Sequence, residues 1–352
     1  MRLGILGAGA VGAKHAAAAA SVGVDLARIV DRNIERAAAL ADEFGSVSSD
    51  DPRSLWDDAS IDAVVIGVPN CFHRPLALEA MRAGKDVLLE KPMALTATEC
   101  DELCEAAQSL GRVLQIGYAH RFTAVGAGAK GIADSGVLGE IYHVKAHLHL
   151  RRGVPGLGAW ITTKAMSGGG ALMDLGVHLT DLALYLLGQP TAVAVTGKAY
   201  AKFGVKMRDY RYESMWAGPP NYDGVCDVDD HVTALITFNT GVTLDLQIAW
   251  ACNLPNGTVP DSMVALLGDR GGLAFELFGD HLLLRSEVAG RNADAKVALP
   301  TADQMALQMT DFAEAVTSRS PGVGATPPEG RKVQVITDAI YKSSVANAPV
   351  ML

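Results

Sequence analysis

A short apolar run, Leu3 to Leu6, leads into Gly7-Ala8-Gly9-Ala10-Val11-Gly12, and an alanine-rich stretch, Ala13 to Ala20, follows with helical character. Strand, then G-x-G-x-x-G, then helix is the context in which that glycine spacing has a physical meaning. The first glycine permits a tight turn, and the second lets backbone approach a pyrophosphate. The third lets helix pack on strand, and the helix N-terminus offers free N–H groups and a positive dipole end to phosphates. The next apolar run, Leu26 to Val30, ends in Asp31, about 20 residues beyond the glycines, where a carboxylate grips the adenosine ribose. A dinucleotide site is therefore predicted, with Gly7, Gly9, Ala10, Val11 and Gly12 at the pyrophosphate and Asp31 at the ribose. A carboxylate there accepts ribose hydroxyls and repels a 2′-phosphate, so NAD is expected over NADP. Arg32 is the neighbour able to soften that preference, by pairing with a phosphate or stacking on adenine.

The rest of the first 120 residues keeps alternating. Helical spacing runs from Asn33 to Phe44 and from Arg74 to Ala83, and Thr98 is read as the cap of a helix ending at Leu110. Ile61 to Ile66, Asp86 to Leu89 and Val113 to Ile116 read as strands, the first suited to burial on both faces. Repeated βαβ units imply a doubly wound parallel sheet with ligands at the carboxyl ends of its strands.

After residue 120 the pattern changes. Phe122 to Ser135 reads as helix, and Glu140 to Leu150 alternates, with His143, Lys145, His147 and His149 on one face. That histidine stripe suits a polar sheet face or an oligomer contact better than a metal site, because no nearby carboxylate or cysteine completes a ligand set. Strand candidates follow at Ala192 to Thr196, Val232 to Phe238, Val242 to Ala249, Met263 to Leu267 and Leu273 to Leu277, with hairpin turns at Asn239-Thr240-Gly241 and Asp269-Arg270-Gly271. Helices return at Gln304 to Arg319 and Arg331 to Ala346. Two domains are expected: an α/β doubly wound sheet over 1–120, and an α+β domain with a large, mostly antiparallel sheet over 121–352, whose last helix could pack back on the first. The aperiodic stretch Lys202 to Asp227 carries Arg208, Tyr210, Arg211, Tyr212, Trp216 and Tyr222, and is read as a substrate lid or a subunit contact.

A net charge of -9 over 352 residues argues against nucleic acid or an acidic membrane as partner. Five scattered cysteines form neither a disulfide framework nor a zinc pattern, and no apolar run is long enough to span a membrane. With Met1 leading straight into a strand, a cytoplasmic protein is expected.

Chemistry-bearing residues appear at two further places. Gly168-Gly169-Gly170 leads into a helical stretch where Asp174 and His178, four apart, share a face with Asp181 close by. Lys91, in Glu90-Lys91-Pro92, ends a strand of the nucleotide domain, where a nicotinamide would lie. Exchange between a hydroxyl and a carbonyl needs a proton acceptor near neutral pH and a cation for the developing alkoxide. A histidine and a lysine supply them.

These motifs, with Val68-Pro69-Asn70-Cys71-Phe72-His73 and Gly117-Tyr118-Ala119-His120-Arg121-Phe122, resemble the glucose–fructose oxidoreductase, inositol dehydrogenase and MocA family, in order, over residues 1 to about 185. The β-rich remainder fits as well. The resemblance implies a Rossmann-like first domain and an NAD-dependent oxidoreductase of a sugar, cyclitol or related polyol. It places Val68, Pro69, Asn70 and His73 beside the nicotinamide ribose, and Glu90 and Lys91 at the nicotinamide. Lys91 also contacts the reacting oxygen, His178 is the general acid/base, and Asp174 orients the substrate or tunes His178. Tyr118, Arg121, Trp160 and Lys164 are further substrate-pocket candidates. No metal is implied. A dimer or tetramer formed through the second sheet is expected by fold analogy. Two other activities use such a scaffold: a glycoside hydrolase that oxidises its substrate transiently, and a regulator that binds dinucleotide without turnover. The retained lysine and histidine favour the dehydrogenase.

Overall fold

Six short strands build the first sheet: β1 (Arg2–Leu6), β2 (Asp25–Val30), β3 (Val47–Ser49), β4 (Ala63–Ile66), β5 (Asp86–Leu89) and β6 (Leu114–Ile116). The computed structural model describes residues 1–211, 217–255 and 257–352. All pairings in this sheet are parallel, in the order β3-β2-β1-β4-β5-β6. Every residue of β4 and β5 is buried, as the unbroken apolar runs require of strands covered on both faces. The order reverses direction between β1 and β4, the place where such sheets bind ligands.

Local signals account for several helix ends. Asn33 caps Ile34–Phe44 through its side chain, and Gly45 closes it in the left-handed region. The cap of Ala97–Leu110 is Thr96 and not Thr98. Thr96 Oγ1 accepts Glu99 N–H at 3.2 Å, while Glu99 Oε2 accepts Leu95 N–H at 2.9 Å. An acid three residues after the cap is the signal that separates the two threonines.

The chain divides into two units, 1–122 with 303–334 and 123–302 with 335–352. In the first, helix Gln304–Ser318 sets Met309, Phe312 and Val316 against Leu3, Ile5, Ala16 and Ala19. Core packing therefore returns a late stretch of the sequence to the first unit.

The second unit is built on β7 (Ile141–His149), β8 (Ala192–Tyr200), β9 (His231–Phe238), β10 (Thr243–Ala249), β11 (Ser262–Gly268), β12 (Gly271–Phe275), β13 (His281–Val288), β14 (Arg291–Ala298) and β15 (Val350–Met351). Its nine-stranded sheet runs β14-β13-β12-β11-β7-β10-β9-β8-β15, antiparallel except where β10 meets β7. Val144, Ala146, Leu148, Leu244, Leu246 and Ile248 form its buried face, over which helix Val177–Leu186 packs. Both expected hairpin turns are present, joining β9 to β10 and β11 to β12. The β13–β14 hairpin has no sequence counterpart: Arg291–Ala298 is mostly exposed, so no apolar alternation marks it.

Candidate active site

The first unit gathers its predicted residues at the carboxyl ends of its strands. Gly7 turns the chain at φ +104°, and a Cβ there would lie 2.3 Å from Gly67 O. A Cβ on Gly12 would lie 1.8 Å from Gly7 O, so these two glycines close the turn against backbone. Gly9 differs. It precedes helix Ala10–Ser21 without any side-chain cap, and a Cβ on it would meet nothing within 4 Å. The turn thus leaves an open face in front of uncapped helix amides, the fit a pyrophosphate requires. Asp31 is buried, with Oδ2 accepting Ala8 N–H at 2.8 Å and Oδ1 accepting Asn33 N–H at 2.9 Å. Its carboxylate therefore shapes the glycine turn. Arg32 is exposed, and the guanidinium nearest Asp31 is that of Arg36, at 3.8 Å.

Asn70, also buried, opens a short turn after Val68 and Pro69. His73 is enclosed between two carbonyls, Nδ1 at 2.7 Å from Pro92 O and Nε2 at 2.9 Å from Val68 O. Burial pushes its pKa down against the pull of those carbonyls. His73 braces the loop after β4 against the segment after β5. The Lys91–Pro92 peptide in that segment is cis.

Glu90 Oε1 lies 2.7 Å from His15 Nε2, and its Oε2 accepts Lys91 N–H at 3.2 Å. Burial raises the carboxyl's pKa, but the His15 hydrogen bond and the charges of His15, Lys91 and His73 outweigh it and hold Glu90 below the ordinary carboxylate value. Lys91 is half-buried and close enough to His120 to help depress that ring to about 4, after burial as the larger cause. Tyr118 and Arg121 are interior residues of this unit, each 2% exposed. Arg121 Nη1 donates to Val323 O and Glu329 Oε2, both at 3.2 Å.

In the second unit the three glycines have packing causes. A Cβ on Gly169 would meet Tyr341 Oη at 2.0 Å, and one on Gly170 would meet Asp229 O at 1.8 Å. Asp229 Oδ1 accepts Gly170 N–H at 2.8 Å and the Tyr341 hydroxyl at 2.7 Å, while Oδ2 accepts Leu172 N–H at 3.1 Å. Burial lifts the Asp229 pKa in spite of those bonds, and lifts the Tyr341 phenol well above its ordinary value. The run Asp227-Val228-Asp229-Asp230 pins further segments as well. Asp227 Oδ1 accepts Lys164 N–H at 2.7 Å, and Asp230 Oδ2 accepts the N–H groups of Lys202, Phe203 and Gly204 at 2.6–3.0 Å.

The stretch carrying Asp174 is not regular α-helix. Leu172–Gly176 forms a π-helical turn, a feature common at functional sites, before Val177–Leu186 continues as α-helix. Asp174 is buried, and its Oδ2 accepts the Trp250 indole N–H at 2.9 Å. Trp250 is 1% exposed and went unmarked in the sequence, because it lies 76 residues from Asp174. His178 and Trp160 are half-buried, Lys164 is exposed, and Asp181 is enclosed.

The loop after β8 contains Gly204–Asp209 as a short helical turn, and Arg208 pairs with Asp223 at 3.0 Å. Tyr212 and Trp216 lie outside the described residues. On the open sheet face, His147 stacks on His149 at 5.0 Å and donates its Nε2–H to Pro260 O at 2.9 Å. Among the described residues no group of three or more histidines, cysteines or acids is placed to hold a metal ion, and no helix is long and apolar enough to cross a membrane.

A parallel sheet of this order, with a glycine turn, an acid after β2 and a Glu-Lys-Pro segment after β5, defines a nucleotide-binding domain of the NAD-dependent oxidoreductase class. Residues 1–118 match the oxidoreductase family with the NAD-binding Rossmann fold, GFO_IDH_MocA, and residues 127–274 match the GFO/IDH/MocA C-terminal domain. The chain belongs to this family and is an NAD-binding oxidoreductase. It is 31% identical to D-glucoside 3-dehydrogenase of Escherichia coli (strain K12), over all of this chain and 97% of that one. It is 33% identical to inositol 2-dehydrogenase of Acidothermus cellulolyticus, over 71% of this chain and 66% of that one. The solved structure of levoglucosan dehydrogenase in complex with NADH superposes with a TM-score of 0.85 at 25% identity, covering 100% of this chain and 98% of that one.

Proposed function

We propose that this enzyme interconverts a ring hydroxyl and a ketone on a sugar, cyclitol or related polyol. The observation that carries the reading is Lys91 at the carboxyl end of β5, in a sheet whose glycine turn and Asp31 fit NAD. The named substrates of the relatives, a glucoside, inositol and levoglucosan, support the substrate class.

NAD, when bound, supplies the hydride acceptor or donor. Gly7, Gly9, Ala10, Val11 and Gly12 hold the pyrophosphate, and Asp31 the adenosine ribose. Val68, Pro69 and Asn70 line the nicotinamide ribose, with His73 bracing them. Glu90 and Lys91 reach the nicotinamide end. In oxidation, His178 takes the hydroxyl proton on a ring nitrogen, and Lys91 Nζ donates a hydrogen bond to the oxygen as its charge grows. Asp174 orients the substrate, with Trp160 and Lys164 as further contacts. The same reading makes the protein a cytoplasmic dimer or tetramer associating through the open sheet face.

The test is a screen of purified protein with NAD or NADP against sugars, glycosides and cyclitols, following reduced nicotinamide by its absorbance. Reduction with one substrate class supports the reading. Glycoside cleavage without net reduction, with cofactor retained, replaces it by the hydrolase.

A further inference from the structure

Helix Ala10–Ser21 is alanine-rich, yet it buries a histidine. His15 is 1% exposed and faces the sheet one turn after Gly12. Its Nε2 lies 2.7 Å from Glu90 Oε1, and its Nδ1 has no hydrogen-bond partner among the described residues. The ring therefore directs its only side-chain hydrogen bond at Glu90, 75 residues away in sequence. Glu90 in turn occupies a slot with little freedom. A Cβ on Gly117 would stand 3.0 Å from Glu90 Oε1, and one on Gly67 would stand 3.9 Å from Glu90 Cγ. The other carboxylate oxygen accepts Lys91 N–H at 3.2 Å. One side chain thus connects the helix that follows the glycine turn to the backbone of the lysine proposed for chemistry.

We propose that His15 is a positioning residue, which acts through Glu90 to fix the Glu90-Lys91 segment at the nicotinamide end of the site. With Glu90 ionised, the ring donates its Nε2–H to Oε1. Deleting the donor leaves a buried carboxylate short of a partner, and that carboxylate then turns to another donor or takes up a proton. Either response moves the Lys91 amide it holds. The helix and the Glu-Lys-Pro segment both contribute to cofactor binding in the reading above, so His15 links the two ends of one ligand. The inference rests on that reading of Glu90 and Lys91.

The test uses the full-length protein and NADH as probe. His15→Phe keeps the volume and removes the donor, whereas His15→Gln returns an amide donor at similar reach. NADH affinity is read by fluorescence titration, which needs no substrate, and kcat and KM are read with the substrate found by the screen. His15→Phe is expected to weaken NADH binding and to lower kcat by about 10-fold or more with little change in KM, since small misplacements of reacting groups cost this much. His15→Gln is expected to recover most of both. In a Glu90→Gln background, His15→Phe is expected to add little. Wild-type NADH affinity and kcat in folded His15→Phe overturn the proposal, as does an undiminished effect of His15→Phe in the Glu90→Gln background. If His15→Phe fails to fold, Glu90→Gln carries the test, and wild-type affinity and kcat in that variant overturn the proposal equally. Failure of the catalytic reading is a separate result, seen as normal turnover in Lys91→Ala, while the NADH titration of His15 variants stands unaffected.

Discussion

The Trp250 indole donates its N–H to Asp174 Oδ2 at 2.9 Å, and both residues are buried. The bond ties the end of β10 to the π-helical turn that precedes His178. Trp250→Phe keeps most of the apolar volume and removes the donor. A hydrogen bond to a charged group contributes about 1.5–3 kcal/mol. We expect a stability loss of that order in urea unfolding, and a fall in kcat if Asp174 orients substrate. Unchanged unfolding would remove the bond from the account.

Lys91→Ala and His178→Ala are expected to retain NADH binding and to lose turnover by about 10²- to 10⁴-fold, the usual worth of a positioned acid, base or oxyanion partner. Steady-state kinetics beside fluorescence titration separates the two effects. Near-normal turnover in either variant withdraws that residue's role.

The glycines of the turn should respond differently to alanine. At Gly9 a methyl meets no protein atom within 4 Å. Gly9→Ala should therefore fold with near-normal stability and bind NADH poorly, because the methyl takes the space in front of the helix amides. At Gly12 the methyl would lie 1.8 Å from Gly7 O, so Gly12→Ala should lose stability as well as binding. Thermal unfolding with and without NADH measures both. Equal behaviour of the two variants would contradict the division of labour.

His120 gives the acid side of the stability profile a definite sign. Its folded pKa of about 4 lies below the ordinary 6.5, through burial first and Lys91 second. The unfolded chain takes up the proton first, so stability is complete above the ordinary value and is lost as pH falls from 6.5 towards 4. Between about pH 7 and about pH 5 this amounts to about 2 kcal/mol. His120→Gln should remove that share of the pH dependence in denaturant unfolding. An unaltered slope would show that the ring is not held neutral.

Residues whose meaning is local were legible before any coordinates. The glycine turn, Asp31 and the Glu-Lys-Pro segment each sit at a strand end, and strand, turn and helix follow one another directly along the chain. Period and breakers placed most elements for the same reason. The solvated β13–β14 hairpin escaped because exposed strands carry no apolar alternation, and Thr98 was read in place of Thr96 because the deciding signal was the spacing to Glu99.

Partnerships across long separations were decided by the tertiary structure alone. Of the three glycines before Asp174, two make room for Tyr341 and Asp229. Arg121 pairs with Glu329, 208 residues on. Trp250, Asp229 and His15 carried no mark in the sequence, because a buried donor or acceptor is defined by the group it meets. The sequence by itself determined the turn, the nucleotide-binding sheet and the chemistry on offer, since these follow from neighbours along the chain. Which groups aim and charge that chemistry was set only when burial forced distant polar atoms to find one another.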